Sequence, residues 1–564
     1  MALLLVVVLA LVDGFLPSAP ALSEPASPSV EIPGVVTSGY HARYLVPPNP
    51  LNQLNGMTLD GEGGVFVCAA LYDRIVHLDL RSGAIRVVAD ETDAEPRRAP
   101  DDVAMAPDGS LYVTTILGRN VTRMSQDGKQ RRVVASNLGD GASLPNGIAF
   151  NAQGRLFATD LDFADPAHPG GLWEIDPAGM KPPVPVVRPL PTPNGFAFGP
   201  DGKAYIPEMF AGRIDIVDVD ARTVRTLVDG FGYLVAVKVD RQGRLVVLET
   251  DTGRVWRVDR TTGDRTLLAQ GPPGLDNLVV ASEGTIFVTN FVQGNVWRVN
   301  EATRALEPLL PDRSLGLPFS LSEAPDGSLV VGDFTAVSRV QGSEVTRVSR
   351  LLVDQVQMLV PGATQIGSNL YFSDFLPPDG RIFRLNLESG QREKVASGFA
   401  FPRTVRAGAA GHLLVVDQAL GAVFDVDPGN GLKIPLVQGL RSPSGLAVDR
   451  PRGVAYVSDT GAGSIVSVEM STRRTSVVAD GLTGPEGVAV DRDGSLLVVE
   501  GDAGRLVRID QVDGGRQVVA TGLPTRTVGV GLPLLNYSSD VIVRSDGSIV
   551  VSGDADGSLI ELHR

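Results

Sequence analysis

Apolar and polar residues alternate along this chain in short runs, and the pattern recurs about every 40 to 50 residues. Each unit opens with two apolar strands joined by a tight turn, in which glycine supplies the positive φ. A third strand begins at glycine and alternates apolar with polar residues, and a short fourth strand ends the unit. The first two strands are seen in Ala106–Thr115, Gly199–Glu208, Ala324–Asp333 and Asp491–Glu500, the third in GLWEID, GRVWRVD, GNVWRVN, GRIFRLN and GRLVRID, and the fourth in RTLLA and SVVAD.

Four antiparallel strands per repeat predict the blades of a β-propeller. Rings of about 4–8 blades are usual, so the twelve repeats of this chain predict two six-bladed β-propellers in tandem, an all-β fold. The first strands of the repeats begin near Asn55, Asp101, Asn146, Asn194, Leu234, Asp276, Phe319, Gly362, Arg403, Ser444, Glu486 and Ser539.

A count of the predicted strands suggests how each ring closes. The last repeat stops after three strands, and one unassigned strand, His41–Pro47, precedes the first repeat. If that strand completes the sixth blade, Arg304–Pro311 is released to complete the twelfth, and no sheet edge stays exposed. This arrangement predicts a first propeller at 40–303 and a second at 304–564.

The N-terminus carries a compartment signal. Ala2–Val12 is an uninterrupted apolar run, and Ala19-Pro20-Ala21 has the small-x-small form of a signal-peptidase site. We therefore expect a signal peptide at 1–21, a disordered linker at 22–39, and a secreted or periplasmic protein. No Lys or Arg precedes the run, so an uncleaved N-terminal anchor is the alternative, and it is the one membrane association that the sequence suggests.

Composition removes several classes of function. The net charge is −15 and is spread along the chain, which argues against a nucleic-acid partner because such partners need a basic patch. The single cysteine, Cys68, excludes an intrachain disulfide and a thiolate metal cluster, and the five histidines show no paired zinc-ligand spacing. An acidic surface tolerates a bound cation, although solubility alone would explain it.

The residues that open the first strands are the candidate functional set, because these strands line the central channel of a propeller. In the first propeller five of six are Asn or Asp, whereas the second propeller has no such pattern. Converging amide and carboxylate oxygens suit calcium or another hard divalent cation. Alternatively, each is a turn residue that satisfies its own backbone. The set reads Asn55, Asp101, Asn146, Asn194 and Asp276, with Asn277 beside the last.

Other candidates lie near the same rim. The loop Asp160–Gly171 contains His168, whose imidazole could act as a general base or could simply be solvated. Glu208 and Glu249 end second strands and are either groups behind the site or plain surface charges. The sequence has no GxSxG elbow, Walker loop or Rossmann fingerprint.

The first half resembles the calcium-dependent six-bladed lactonases, that is, the gluconolactonase (senescence-marker-like) proteins and paraoxonases. Leu144–Phe150 and Thr192–Asp218 resemble the two blades that supply asparagine ligands, and Gly274–Val280 resembles the blade that supplies an aspartate. The resemblance implies calcium on Asn146, Asn194, Asp276 and Asn277. The second half resembles generic NHL-type blades and carries no ligand pattern to transfer.

Two positions depart from these families. Asn55 stands where the families place an acidic ligand, and Asp101 stands where paraoxonases have a histidine. Losing a carboxylate weakens a calcium site, which Asp101 could offset as a ligand, or Asp101 could serve as the base instead.

The sequence therefore favours an exported, calcium-dependent hydrolase of a lactone or ester. The cation would polarise the carbonyl, and Asp101 or His168 would activate water. The second propeller would shape substrate access or bind a protein partner. The alternatives are a non-enzymatic binding or scaffold protein with a structural calcium, and a lyase or cyclase of small-molecule biosynthesis.

Overall fold

The fold is seen in a computed structural model of the chain. Most of the signal peptide and linker predicted at 1–39 lies outside the residues that it describes, and so does His168. The described residues are 32, 39–49, 51, 53–70, 73–90, 99–139, 143–161, 170–292, 294–310, 315–333, 336–350, 360–376, 379–525, 528–529, 536–537 and 539–564.

The described chain is all-β and forms two six-bladed propellers, as the repeat pattern predicted. Its strands make twelve four-stranded antiparallel blades, two of which join edge to edge through the parallel pair Gln270 and Ala305. The helical segments within the described residues are three short 3-10 turns, none with the length and apolar character that a bilayer crossing requires. These turns are Ala409–Gly411, Thr460–Ala462 and Gly501–Ala503.

The first propeller spans Pro50–Asp312. In each blade the strands follow one another outward from the channel, and the buried side chains of neighbouring blades pack into shared apolar clusters. Its strands are, blade by blade, Leu54–Leu59, Gly64–Ala69, Arg74–Asp79, Ile85–Asp90; Pro100–Met105, Leu111–Thr115, Asn120–Met124, Arg131–Ser136; Leu144–Phe150, Leu156–Leu161, Gly170–Ile175, Val184–Val187; Ala197–Phe198, Ala204–Glu208, Arg213–Asp218, Thr223–Val228; Leu234–Val239, Leu245–Glu249, Arg254–Val258, Arg265–Gln270; and Leu275–Val280, Ile286–Asn290, Asn295–Asn300, Ala305–Pro308.

The second propeller is formed by the described residues of Met1–Asn49 and of Arg313–Arg564. A separate two-residue ladder pairs Val528–Gly529 with Asn536–Tyr537. The strands of its blades are Pro318–Glu323, Leu329–Asp333, Ala336–Gln341, Glu344–Arg350; Ala363–Ile366, Asn369–Leu376, Asp379–Asn386, Arg392–Phe399; Pro402–Ala407, Leu413–Asp417, Ala422–Val426, Lys433–Gln438; Pro443–Asp449, Val454–Asp459, Ser464–Glu469, Thr475–Ala479; Pro485–Val490, Leu496–Glu500, Arg505–Ile509, Arg516–Thr521; and Val541–Val543, Ile549–Gly553, Ser558–His563, His41–Val46.

The predicted exchange of closing strands is wrong. His41–Val46 pairs with Ser558–His563 and completes the last blade of the second propeller, where Arg43 Nε also donates to Glu561 Oε2 at 2.7 Å. Ala305–Pro308 pairs with the strand just before it in sequence. A local hairpin closes a shorter loop than a distant pairing does, so its entropy cost is lower. The boundaries therefore move from 40–303 and 304–564 to those given above.

Candidate functional site

The pairing register identifies the residues at the mouth of the first propeller's channel. In most blades the mouth residue follows the first residue to pair with the second strand, as Asn55 follows Leu54. In the third blade Asn146 follows the second such residue, Pro145. In the fifth blade Leu234 pairs with Glu249, so the mouth residue is Val235 and not Leu234 as the sequence suggested. The ring of mouth residues is Asn55, Asp101, Asn146, Asn194, Val235 and Asp276.

Threonine hydroxyls hold the backbone of this ring in place. Thr114 Oγ1 donates to the carbonyl of Asn146 at 2.5 Å, and Thr289 Oγ1 donates to the carbonyl of Asn55 at 2.8 Å. Each threonine belongs to the second strand of the preceding blade, so each bond ties two blades together. These threonines were not predicted from the sequence, although the motifs YVTT and FVTN place threonine at equivalent points of two repeats.

Two amide oxygens of the ring have no partner. Asn55 Oδ1 and Asn146 Oδ1 are buried and accept no hydrogen bond from any described residue. The amide nitrogen of Asn55 is used, since Nδ2 donates to Asp101 Oδ1 at 2.7 Å. A buried acceptor without a partner costs free energy, so two of them at one mouth indicate a missing donor or cation.

The carboxylates of the mouth are crowded. Burial, and then the charge of Asp102, raises the pKa of Asp101 to about 7. Burial, and then Asp101 and Asp102, raises the pKa of Asp276 well above its usual range. Nearby like charges disfavour ionisation, whereas a bound cation would favour it.

Asp102 and Asn277 form a layer just below the ring. Asn277 Nδ2 donates to Asp102 Oδ1 at 3.2 Å, and Asn277 Oδ1 accepts from the backbone of Leu278 at 2.8 Å. Asp102 Oδ2 accepts from the backbone of Ile148 at 3.1 Å. A Cβ at Gly56 would overlap the Asp102 carboxylate, which is why this blade needs glycine there. The amide of Asn277, predicted as a metal ligand, is thus engaged within the channel.

Asn194 shows the turn arrangement that the sequence left as an alternative. Its Oδ1 accepts from the backbone of Gly195 at 2.7 Å, and its side chain is half-buried. A carbonyl oxygen has two lone pairs, so this oxygen retains capacity for a second partner.

Glu208 and Glu249 are buried side chains that hydrogen-bond to neighbouring segments, and they are not surface charges. Glu249 accepts from the backbone of Gly232 at 2.7 Å and from Trp256 Nε1 at 2.6 Å. Glu208 Oε2 accepts from the backbone of Thr192 at 2.8 Å, while its Oε1 has no partner among the described residues. Burial raises the pKa of Glu208 to about 8. Such acids tie the second strand to the segment before the first strand.

The second propeller provides its own positive charges in the equivalent places. Arg406 Nη2 contacts Asp540 Oδ2 at 2.5 Å, and the same oxygen accepts from the backbone of Leu321 at 2.8 Å. Asp540 therefore occupies the place that Asp102 has in the first propeller. At the mouth, burial and then the charge of Asp554 raise the pKa of Glu486 well above its usual range, and Arg403 opposes this shift.

The donors of the first propeller suit a hard cation. Within the described residues, no group of three or more His, Cys, Asp or Glu side chains is arranged to hold a metal. A metal at this mouth would depend on amide oxygens together with Asp101 and Asp276. Calcium accepts neutral amide oxygens and water, whereas zinc prefers nitrogen and sulfur. The unpartnered oxygens of Asn55 and Asn146 therefore fit calcium.

Known proteins resemble part of this chain. Over 172 residues it is 24% identical to Lactonase drp35 of Staphylococcus saprophyticus, a match that covers 30% of this chain and 51% of that protein. The chain thus spans about half the length of this curated relative.

Solved propeller structures are similar in fold. A gluconolactonase from Xanthomonas campestris has 19% identity and a TM-score of 0.38, with 50% of this chain and 99% of that chain covered. The calcium-binding protein regucalcin from Agrobacterium tumefaciens has 19% identity and a TM-score of 0.36, with 44% and 84% covered. Virginiamycin B lyase from Staphylococcus aureus has 14% identity and a TM-score of 0.37, with 52% and 96% covered.

One family description matches part of the chain directly, at residues 39–157. That range contains three of the mouth residues, Asn55, Asp101 and Asn146. This chain therefore carries an SMP-30/gluconolactonase/LRE-like region in its first half.

Proposed function

We propose that the first propeller is a calcium-dependent hydrolase of a lactone or a related ester. The observation that carries the proposal is the pair of buried, unpartnered amide oxygens of Asn55 and Asn146 beside the crowded carboxylates of Asp101 and Asp276. The family match over residues 39–157 and the similarity to a lactonase support the choice of reaction.

The residues that would hold the ion are Asn55, Asn146, Asn194 and Asp276. A bound calcium ion would act as a Lewis acid toward the acyl carbonyl of the substrate. Because like charges are crowded at the mouth, a bound cation would reduce their repulsion more than water does.

Asp101 is the group of the chain that moves the proton. Its carboxylate accepts from Asn55 Nδ2 at 2.7 Å, which holds it at the mouth. With its pKa raised to about 7, it can take a proton near neutral pH. Water adds to the acyl carbon, Asp101 takes the water proton, the acyl C–O bond breaks, and the leaving alkoxide takes a proton to give a hydroxy acid.

The test is hydrolysis of a panel of lactones and aryl esters by the full chain, with EGTA and then with excess calcium. We expect EGTA to abolish turnover and calcium to restore it. Asn146→Ala should reduce activity and weaken calcium binding, whereas Ser444→Ala, at the equivalent mouth position of the second propeller, should change neither.

A double variant, Asn194→Ala with Asp276→Ala, separates catalysis from structure. Full activity in this variant would remove the hydrolase as proposed. Calcium binding without turnover on any substrate would instead favour the scaffold with a structural ion. An elimination or cyclisation product without incorporation of solvent oxygen would favour the lyase or cyclase.

We propose export on the sequence pattern of residues 1–21 alone. N-terminal sequencing of the protein from its native cell would test it, and a mature start near Leu22 is expected. A protein partner for the second propeller likewise remains a proposal.

A further inference from the structure

The channel of the first propeller has a second, chemically different mouth. A cavity of about 380 Å³ opens where the first strands end, and its wall is formed by segments such as Met57–Leu59, Val103–Met105 and Ile148–Phe150. The mouth residues Asn55, Asp101 and Asn146 stand at the other ends of these strands. The cavity is therefore at the end of the channel opposite the candidate calcium site.

One charged side chain lines this cavity, and it is Lys238. The pairing register shows that Lys238 replaces a small or apolar residue within the first propeller, because each of the other five blades there has Thr, Ala or Val. The equivalent residues are Thr58, Ala104, Ala149, Ala197 and Val279. In the second propeller Arg406 holds this position, and it pairs with Asp540.

The Lys238 ammonium has no ion-pair partner within 4.0 Å in the part of the chain that the structure describes. Side chains alternate along a strand, so Lys238, two residues after Ala236, faces the channel on the same side as the layer of Asp102. Lys238 acts on Asp102 through space and lowers an Asp102 pKa that burial raises. An ammonium among apolar side chains without a close counter-ion favours binding of an anion.

The surroundings select the kind of anion. Ala149, Ala197 and Val279 line the cavity at the level of Lys238 and offer an apolar surface to a hydrocarbon tail. A lysine is a single point charge, whereas bidentate binding of phosphate favours arginine. The charge of Asp102 in the layer above opposes a dianion. A singly charged carboxylate with an apolar tail satisfies all three conditions.

We propose that this cavity is a binding site for an amphiphilic monocarboxylic acid, with the carboxylate on Lys238 Nζ and the tail against the alanine and valine side chains of the wall. This site is independent of the calcium ring and of the proposed hydrolase, because it shares no residue with either.

The experiment is calorimetric titration of the full chain with decanoate below its micelle concentration. We expect saturable binding that weakens at least tenfold in Lys238→Met and persists in Lys238→Arg. Lys129→Met, which removes an ammonium that is 83% exposed, should bind like the unmodified chain. Decyltrimethylammonium, with the same tail and the opposite charge, should not bind.

A second measurement needs no variant at this position. Decanoate should protect Lys238 several-fold from acetylation by acetic anhydride, read by peptide mass spectrometry, and should leave Lys129 unprotected. Absence of saturable decanoate binding, equal affinity in folded Lys238→Met, equal binding of decyltrimethylammonium, or absence of protection would each overturn the proposal. None of these outcomes bears on EGTA-sensitive hydrolysis at the other mouth.

Discussion

At the mouth of the first propeller, Asp101 is both a hydrogen-bond acceptor and one of several crowded carboxylates. Its carboxylate is the acceptor that orients Asn55, and it also shares a crowded space with Asp102 and Asp276. Ionisation is therefore costly without a bound cation, yet the same charge is needed to attract a cation and to take a proton. Active sites commonly combine these demands, because residues shaped for chemistry are rarely the best residues for stability.

We predict that Asp101→Asn lowers kcat by about 10²- to 10⁴-fold, the usual contribution of a general base. The amide keeps the shape of the side chain and removes one of the crowded charges, so the melting temperature should hold or rise at pH 8. Steady-state kinetics and thermal melts check this, with Asp229→Asn, an exposed acid, as the control. Parallel losses of stability and activity would mean that Asp101 is structural.

Glu208 allows a test of how burial of a carboxyl group changes its pKa and the stability of the fold. Its pKa is raised to about 8, against about 4.5 in an unfolded chain, so the unfolded state ionises first as the pH rises. Between these values the unfolded state binds fewer protons, and the folded state loses stability with rising pH. We predict that Glu208→Gln is more stable than the unmodified chain at pH 8, by roughly 2–4 kcal/mol, and equal to it at pH 4.

Denaturant unfolding at both pH values measures this difference. Glu344→Gln, at an exposed position, should show no such pH dependence relative to the unmodified chain. A Glu208→Gln variant that is equally destabilised at pH 4 and pH 8 would show that the carboxylate is ionised in the fold.

At the scale of the strand, local pattern and distant pairing differ in how far sequence predicts them. The turns and alternation gave the strands, the blades and the count of twelve, because these features are local. The closing strand was misassigned because either ring could accept His41–Val46 equally well by pattern, and only the packed sheet edge distinguishes them.

The candidate site shows the same difference between features set by local pattern and features set by distant contacts. Asn55, Asp101, Asn146 and Asp276 were found from sequence because they open repeats. Val235 was missed because Leu234, Val235 and Ala236 are all apolar, so no polar side chain marks the mouth position of this blade. The orientation of the Asn277 amide toward Asp102 depends on a blade that is distant in sequence.

We predict that deletion of residues 1–47 destabilises the second propeller and spares the first. The deletion removes the strand His41–Val46 and leaves the edge Ser558–His563 without its partner, and an unpaired edge also promotes aggregation. Calorimetry should show one transition lowered, while calcium binding at the first propeller is retained. Deletion of 1–31 is the control and should leave both transitions in place.

At the scale of the whole molecule, the two propellers differ in the groups that surround a buried aspartate of the channel. Each has a buried aspartate at the same point of its channel, Asp102 in the first and Asp540 in the second. Arg406 supplies the positive charge for Asp540, whereas Asp102 receives an amide from Asn277 and a more distant Lys238. The second channel thus has arginines that offset part of its acidic charge, whereas the mouth of the first has Asp101 and Asp276 with no arginine beside them among the described residues.

This difference predicts how calcium acts on the full chain. A ligand that binds only the folded state stabilises it by about 2.7 kcal/mol at a hundredfold excess over its Kd. We expect calcium to raise, and EGTA to lower, the melting transition of the first propeller alone, since Arg403 and Arg406 already oppose the acidic charge of the second channel. Arg406→Met leaves Asp540 buried without its ion pair, so the free energy of unfolding of the second propeller should fall by about 3–5 kcal/mol. Its melting transition should stay insensitive to EGTA. A calcium response of the second transition in the unmodified chain would contradict this division, because it would place an ion where the chain already provides the charge.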